Sequence, residues 1–474
     1  MMSTLSLREI AAALQVEYSG ADIAIENIAT DSRSIRAGDL YVALRGERFD
    51  GNEFIEAVAA QGAAAAVVND PQPLALPQLR VDDARAALGL IARINRRRFQ
   101  HPLIGITGSA GKTTCKEMLA AILSQRGSVL ATQGNLNNEI GVPLTLLRIA
   151  PEHRYAVIEM GAARAGDIEY LCRFAEPDIA LITTALPAHL EGFGSLDTVA
   201  TTKGEIYSSL RENGTAIINI DSDYQNLWRQ LSASHRVISF GFNAAANISA
   251  TAIERTGAGV RFLLRSPLGE VAVEMQLLGL HNIRNALAAA AAAIAAGATL
   301  ADIRAGLGQV RAVSGRLNPL PGLRGEIVID DSYNANPGAV KAAIDVLAEC
   351  SGQRQLILGN MGELGPQAEA LHREVAQYAA ERGIDTLWCV GPFAQAQVEA
   401  FLQFGNAVRH SKSVSSTSVS SKSVCAKAFA DNAAVIAELN TITPAVVLVK
   451  GSRSAGTEVI VAALLGSDNA QGVH

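Results

Sequence analysis

LIGITGSAGKTTCKEMLAAIL, residues 103–123, decides how the rest of the chain is read. The apolar run LIGIT reads as a strand buried on both faces. It ends at Thr107, and the loop Gly108-Ser109-Ala110-Gly111 leads into a helix that begins at Lys112. Glycines at both ends let backbone N–H groups turn inward, and the helix N-terminus adds positive partial charge, so the turn is suited to phosphate. Lys112 is placed to reach the outer phosphates of ATP, with Thr113 and Thr114 following, and the Thr113 hydroxyl is placed for Mg²⁺. The generic spacing would put a first glycine at position 106, which here is Ile106, so the loop is a compact variant. A glycine turn that merely joins strand to helix is the bland alternative, and the lysine with two threonines in register argues against it.

Outward from this loop, strand and helix alternate as in parallel sheets with crossover helices. Residues 85–313 carry further candidate strands at 155–160 (YAVIEM), 178–184 (DIALITT) and 215–220 (TAIINI). Residues 314–474 repeat the pattern at 326–331, 354–360, 386–391 and 445–451, with a helix expected over 366–383. Residues 1–84 hold shorter β-like runs at 39–44 and 65–68, and the long helical pattern ARAALGLIARINRRRF follows them. The fold class expected is α/β with three domains: a small mixed N-terminal domain (1–84), a central phosphate-loop domain with a mostly parallel sheet (85–313) and a further α/β domain (314–474).

Ligands of open α/β sheets bind at the carboxyl ends of the strands. Glu159 ends YAVIE, His189 follows DIALITT, and Lys203 lies just downstream in TTKGEI. Singly they read as a solvated strand-end acid, a loop histidine and a surface lysine. Together beside a phosphate loop they form, with Thr113, a candidate metal and catalytic set for Mg²⁺ and a triphosphate. An ammonium at Lys203 would repel Mg²⁺, so it either meets a substrate anion or is converted to something negative.

Composition narrows the field. Hydrophobic residues make up 49% of the 474 and charged residues 18%, enough for several cores. A formal net charge of −6 argues against nucleic acid as a partner. The five cysteines (Cys115, Cys172, Cys350, Cys389, Cys425) form no CxxC pair and suit a reducing compartment. No signal peptide or membrane span is legible, so a soluble cytoplasmic protein without membrane insertion is expected. Cys115 reads as a packed small residue, although a helix N-terminus lowers a thiol pKa. SKSVSSTSVSSKSV (411–424) reads as a flexible surface loop.

Nine motifs in order resemble the Mur ligases: TGSAGKTT (107–114), TQGNLNNEIGVPLTLL (132–147), EMGA (159–162), AHLEGFGS (188–195), KGEI (203–206), GLHNIRNALAA (279–289), SGR (314–316), DDSYNANP (330–337) and KGSR (450–453). The resemblance runs from TDSRSIRAGDLYVALRGERFDG (30–51) to KGSRSAG (450–456). It implies an N-terminal UDP-sugar domain, a central P-loop ATPase domain and a C-terminal Rossmann-like ligase domain that closes over the site. It implies ATP and Mg²⁺ as cofactors, and an amide ligase that adds D-alanyl-D-alanine to a UDP-linked muramoyl tripeptide through an acyl phosphate. The partners implied are small molecules, and a monomer is expected. Carried over residue by residue, Lys112, Glu159, His189 and Lys203 are catalytic, and Lys203 matches a position carbamylated in several members. Gly108 to Thr114, Asn282, Asn285, Arg316 and Asp331 would hold the nucleotide. Ser32, Arg33, Asn135, Asn138, Lys450 and Arg453 would face the other substrates. Two departures stand out: Thr457 occupies a position where methionine is common, and the serine-rich run matches nothing in the family. The lack of DNPR argues against the diaminopimelate-adding relatives, and TDSR with FDG argues against a folylpolyglutamate synthase. An ATP-driven switch protein is the reading from another class. Lysine and meso-diaminopimelate remain open at the third peptide position.

Overall fold

The computed structural model describes residues 4–46, 49–256, 259–413, 424–442 and 446–466, with side chains of 406–413 excluded. Most of the serine-rich run lies outside the described residues.

Two six-stranded sheets dominate. In the middle of the chain the spatial order is Arg236–Phe240, Thr215–Asn219, Ile179–Ile182, Leu103–Thr107, Tyr155–Glu159 and Val129–Ala131, all pairs parallel. The four strands expected here form within two residues of their expected ends. Alternation along them explains why they read as unbroken apolar runs. Leu103, Ala156, Ile158 and Ile182 face one core, and Ile104, Ile106, Val157 and Leu181 face another. Helices Lys112–Leu123 and Leu280–Ala295 cover the second face. Residues 286–293, seven alanines and Leu287, are all buried, so this helix sits deep in the core.

The second large sheet runs Asn318–Pro321, Ile327–Asp331, Val446–Lys450, Arg354–Leu358, Thr386–Val390 and Cys425–Phe429, parallel except for the first pair. The helix expected over 366–383 spans Ala368–Glu381. The N-terminal block carries four parallel strands, Ile28–Ala29, Leu40–Val42, Ala65–Val68 and Gln78–Arg80.

Helix Ala84–Arg98 is capped by Asp83, whose carboxylate accepts from the N–H groups of Arg85 and Ala86. It joins the N-terminal block to the middle one: Leu5, Ile10, Leu40 and Val67 share a single core with Leu88, Ile91, Leu103 and Ile158. Fully buried Arg96 ties the same helix down by donating to the carbonyls of Ala175, Phe99 and Glu176 and to Asp178. Sequence reading missed a three-stranded antiparallel sheet, Ser249–Arg255, Val260–Ser266 and Gly269–Met275.

Candidate active site

The phosphate loop forms as its residues dictate. Gly108 (φ +149) passes so close to the neighbouring strand end that a Cβ there would fall 1.9 Å from the Thr183 hydroxyl. Gly111 (φ +80) caps helix Lys112–Leu123, and a Cβ on it would meet Asn285 Oδ1 at 2.5 Å. Only glycine fits either place. Thr183 Oγ1 donates to the Ala110 carbonyl (2.6 Å), and the Ser109 N–H donates to the Thr184 carbonyl (2.8 Å). Lys112 Nζ folds back onto the Gly108 carbonyl at 2.7 Å. Burial lowers its pKa, Glu159 opposes this, and Arg316 adds to the lowering.

Glu159 ends its strand buried, and both carboxylate oxygens are engaged by neutral donors. Thr113 Oγ1 donates at 2.9 Å and Asn137 Nδ2 at 2.8 Å, while the Glu159 N–H donates to Thr132 Oγ1. Sequence reasoning picked out Asn135 and Asn138 and missed Asn137 between them. Lys203 is buried, and burial, then the charge of Lys112, brings its amine down to about 7. His189 stands in the left-handed region (φ 53) and touches the carboxylate of Glu363, which the C-terminal block supplies. Burial lowers the imidazole pKa and Glu363 works against that. Cys115 is fully buried and burial raises its thiol pKa, so packing decides its character.

The C-terminal block forms the opposite wall. Arg316 lies over the Tyr333 ring, 4.2 Å from its centroid. Asp331 pairs with Lys450 Nζ at 2.6 Å, and that ammonium also donates to the Asn334 carbonyl at 2.8 Å. Burial raises the Asp331 carboxyl pKa, and Lys450 counters it. Asn336 Nδ2 approaches the Ser109 carbonyl at 3.5 Å, so this wall meets the phosphate loop directly. Asn282 anchors to the Leu278 carbonyl and receives Asn285 Nδ2 on its side-chain oxygen. Beside them burial holds the His281 imidazole down to about 4, so it is neutral at pH 7.

A cleft of about 650 Å³ lies between the walls. It gathers Gly108 to Thr114, Asn135, Asn138, Glu159, His189, Lys203, Asn282, Asn285, Arg316, Asp331 and Lys450. It does not include Ser32, Arg33 or Arg453. Arg33 is exposed on the N-terminal block and pairs with Asp31 at 2.7 Å, in a turn over Ser32–Ser34. Arg453 is half-exposed, 3.6 Å from Glu458. Among the described residues no three His, Cys, Asp or Glu side chains cluster as a metal cage. The Thr113 hydroxyl and Glu159 carboxylate nevertheless fit Mg²⁺, which takes hard oxygens, keeps several waters and leans on substrate phosphates.

Three family descriptions match: "Mur ligase family, catalytic domain" over residues 24–99, "Mur ligase middle domain" over 106–293 and "Mur ligase, glutamate ligase domain" over 315–453. The UDP-N-acetylmuramoyl-tripeptide–D-alanyl-D-alanine ligase of Escherichia coli K12 is 44% identical over 468 residues, covering 98% of this chain and 99% of that protein. The ligase of the same name from Synechocystis is 34% identical over 98% of both. Among solved structures, MurF from Acinetobacter baumannii superposes with a TM-score of 0.88 at 35% identity, over 98% of this chain and 99% of that one. The MurF ligase of Thermotoga maritima in complex with ADP gives 0.80 at 26% identity, over 93% and 97%. A folylpolyglutamate synthase of Mycobacterium tuberculosis reaches 0.60 at 16% identity over 81% and 95%, a likeness of fold alone. With a phosphate loop walled by two α/β blocks and near full-length identity to these relatives, the chain belongs to the Mur ligase family.

Proposed function

We propose that this enzyme joins D-alanyl-D-alanine to a UDP-N-acetylmuramoyl tripeptide, using ATP to activate the tripeptide's terminal carboxylate as an acyl phosphate. The observation that carries the reading is the convergence of Lys112, Lys203, Arg316 and Lys450 on one cleft with the phosphate loop. The charge of Lys112 bears on Lys203 and that of Arg316 on Lys112, and a polyanion such as a nucleotide triphosphate relieves that repulsion.

A carboxylate is a poor electrophile for an amine, and phosphorylating it makes it a good one. Lys112 leaves the Gly108 carbonyl for the γ-phosphate, and the loop N–H groups stabilise charge as the phosphoryl group moves. Mg²⁺, held by Thr113 and Glu159, would neutralise triphosphate charge. Asn137 fixes the Glu159 rotamer from behind. Arg316, Asp331 and Lys450 close the nucleotide in from the C-terminal side and exclude water from the acyl phosphate. The dipeptide nitrogen then attacks the acyl carbon, a C–N bond forms, the amine loses a proton and inorganic phosphate leaves. In this reading Lys203 reacts as a neutral amine with CO₂, losing a proton to become an anionic carbamate, which reconciles a lysine with a cation site.

Ser32 and Arg33 face the UDP-sugar, Asn135 and Asn138 the peptide, and Arg453 the carboxylate of the acceptor. The enzyme works as a cytoplasmic monomer on small-molecule substrates. No described helix is long and apolar enough to cross a membrane, and the described cysteines are all free. Phosphate release from ATP, measured with each substrate omitted in turn, tests the reading. Release that needs both the UDP-tripeptide and the dipeptide, with a pentapeptide product by mass, is the expected result. Release indifferent to both would put the ATP-driven switch first.

A further inference from the structure

The residues assigned so far account for the nucleotide, the carboxyl donor and the carboxylate of the acceptor, and none of them receives the acceptor's reacting nitrogen. An α-amino group with a pKa of about 8 arrives largely as an ammonium at neutral pH. The cleft is poorly disposed toward a cation, because Lys112, Lys203, Arg316 and Lys450 line it. Its carboxylates are committed elsewhere. Glu159 is held by Thr113 and Asn137, Asp331 by Lys450, Asp167 by the N–H groups of Ala163 and Arg164, and Glu139 faces Arg85 of the joining helix at 3.9 Å.

We propose that Glu363 binds the ammonium of the incoming acceptor and presents its nitrogen to the acyl phosphate, one proton passing to solvent at the exposed carboxylate before the neutral amine attacks and sheds the second. This rests on the ligase reading above and assigns the acceptor side of that same site. Glu363 follows the carboxyl end of strand Arg354–Leu358, which pairs with Val446–Lys450 at the centre of the C-terminal sheet. Ligands of such sheets bind at this edge. Its backbone is left-handed (φ 59), a conformation a glutamate adopts only when its surroundings impose it. The Glu191 N–H donates to the Glu363 carbonyl at 3.3 Å, and the carboxylate touches His189 on the cleft wall. The side chain is 60% exposed, so the anion is open to an arriving cation. The adjoining residue Gly362 packs against the neighbouring loop, with its Cβ direction 3.6 Å from Ser452 Cβ and 3.8 Å from Ser454 Oγ. That second loop carries Arg453. A carboxylate and a guanidinium on two abutting loops match the two ends of a zwitterionic dipeptide, amine toward the cleft.

The test uses the full-length enzyme with Glu363→Gln and Glu363→Asp. KM is measured for the dipeptide, ATP, the UDP-tripeptide and Mg²⁺. Separately, the acyl phosphate is trapped with hydroxylamine in the absence of dipeptide, since this small, largely neutral nucleophile needs no charge partner. Loss of one charge-assisted contact predicts that E363Q raises the dipeptide KM on the order of tenfold to a hundredfold. The hydroxamate yield and the other KM values stay unchanged, and E363D recovers part of the loss. Hydroxamate falling in step with ligation in both variants would overturn the proposal, leaving Glu363 as a latch on the C-terminal block. A raised Mg²⁺ requirement would overturn it in favour of metal binding, and unchanged kinetics would leave Glu363 no part in acceptor binding. If the wild-type enzyme made hydroxamate but no pentapeptide, the acceptor assignment itself would fall, before any variant is compared.

Discussion

Burial sets the chemistry of Lys203 more than its sequence neighbours do. Its amine titrates at about 7 in the fold against 10.5 in the unfolded chain. Between those values the unfolded chain binds a proton that the fold does not, so this group's contribution to stability rises with pH across that window and is lowest below about 7. The same window governs carbamate formation, because only the neutral amine attacks CO₂. With ¹³C-bicarbonate, a carbamate signal is expected to grow as pH rises through about 7 and to be missing from Lys203→Ala. An active wild-type enzyme with no such signal at any pH would rule the modification out. At this scale the sequence conveyed chemistry better than orientation. It marked Lys203 as an anomaly beside a cation site, yet nothing in TTKGEI says which face of helix Leu196–Ser208 is buried. In NLNNEIG three asparagines compete, and the one that turns onto Glu159 is fixed by the backbone bond between the Gly161 N–H and the Asn137 carbonyl, a contact across 24 residues. Glu363 was passed over because its partner His189 comes from another block.

Among the elements, the helix Leu280–Ala295 is packed deep against the phosphate-loop helix. Its alanines let it lie against Lys112–Leu123 with backbones near each other, and the Cys115 thiol reaches the Asn285 carbonyl at 3.6 Å. Ala290 is fully buried. Ala290→Leu is therefore expected to destabilise the protein by about 1–3 kcal/mol. Denaturant midpoints check this, and a neutral result would mean that the core has room there. Strands buried on both faces were legible because they leave unbroken apolar runs, as in LIGIT and VVLVK. The three-stranded antiparallel sheet escaped because it is wet on one face. Val260, Phe262 and Leu264 are buried in alternation with more exposed neighbours, a period-two signal that a search for continuous runs passes by.

At the level of the whole molecule, the cores divide the chain unequally. One core joins the N-terminal block to the middle block through helix Ala84–Arg98, whereas the C-terminal block keeps its own clusters on the two faces of its sheet. Unfolding is expected in two steps. The chain has two tryptophans, and they fall on opposite sides of this division: Trp228 in the core shared by the first two blocks, Trp388 in the C-terminal block. With Trp228→Phe and Trp388→Phe, fluorescence in a urea titration isolates each step. Distinct midpoints are expected, and a single coincident midpoint would show one cooperative unit. The expected boundary near residue 84 thus falls at the start of a helix that serves two blocks, which no change of composition could reveal. The shared core also sorts the ways of blocking the enzyme. A compound that spans the N-terminal block and the phosphate loop meets two walls already fixed to each other, and its association is limited by diffusion and steering. One that reaches for Arg316 or Lys450 takes hold of a wall with separate cores, so any adjustment of that wall on binding is expected to slow its association.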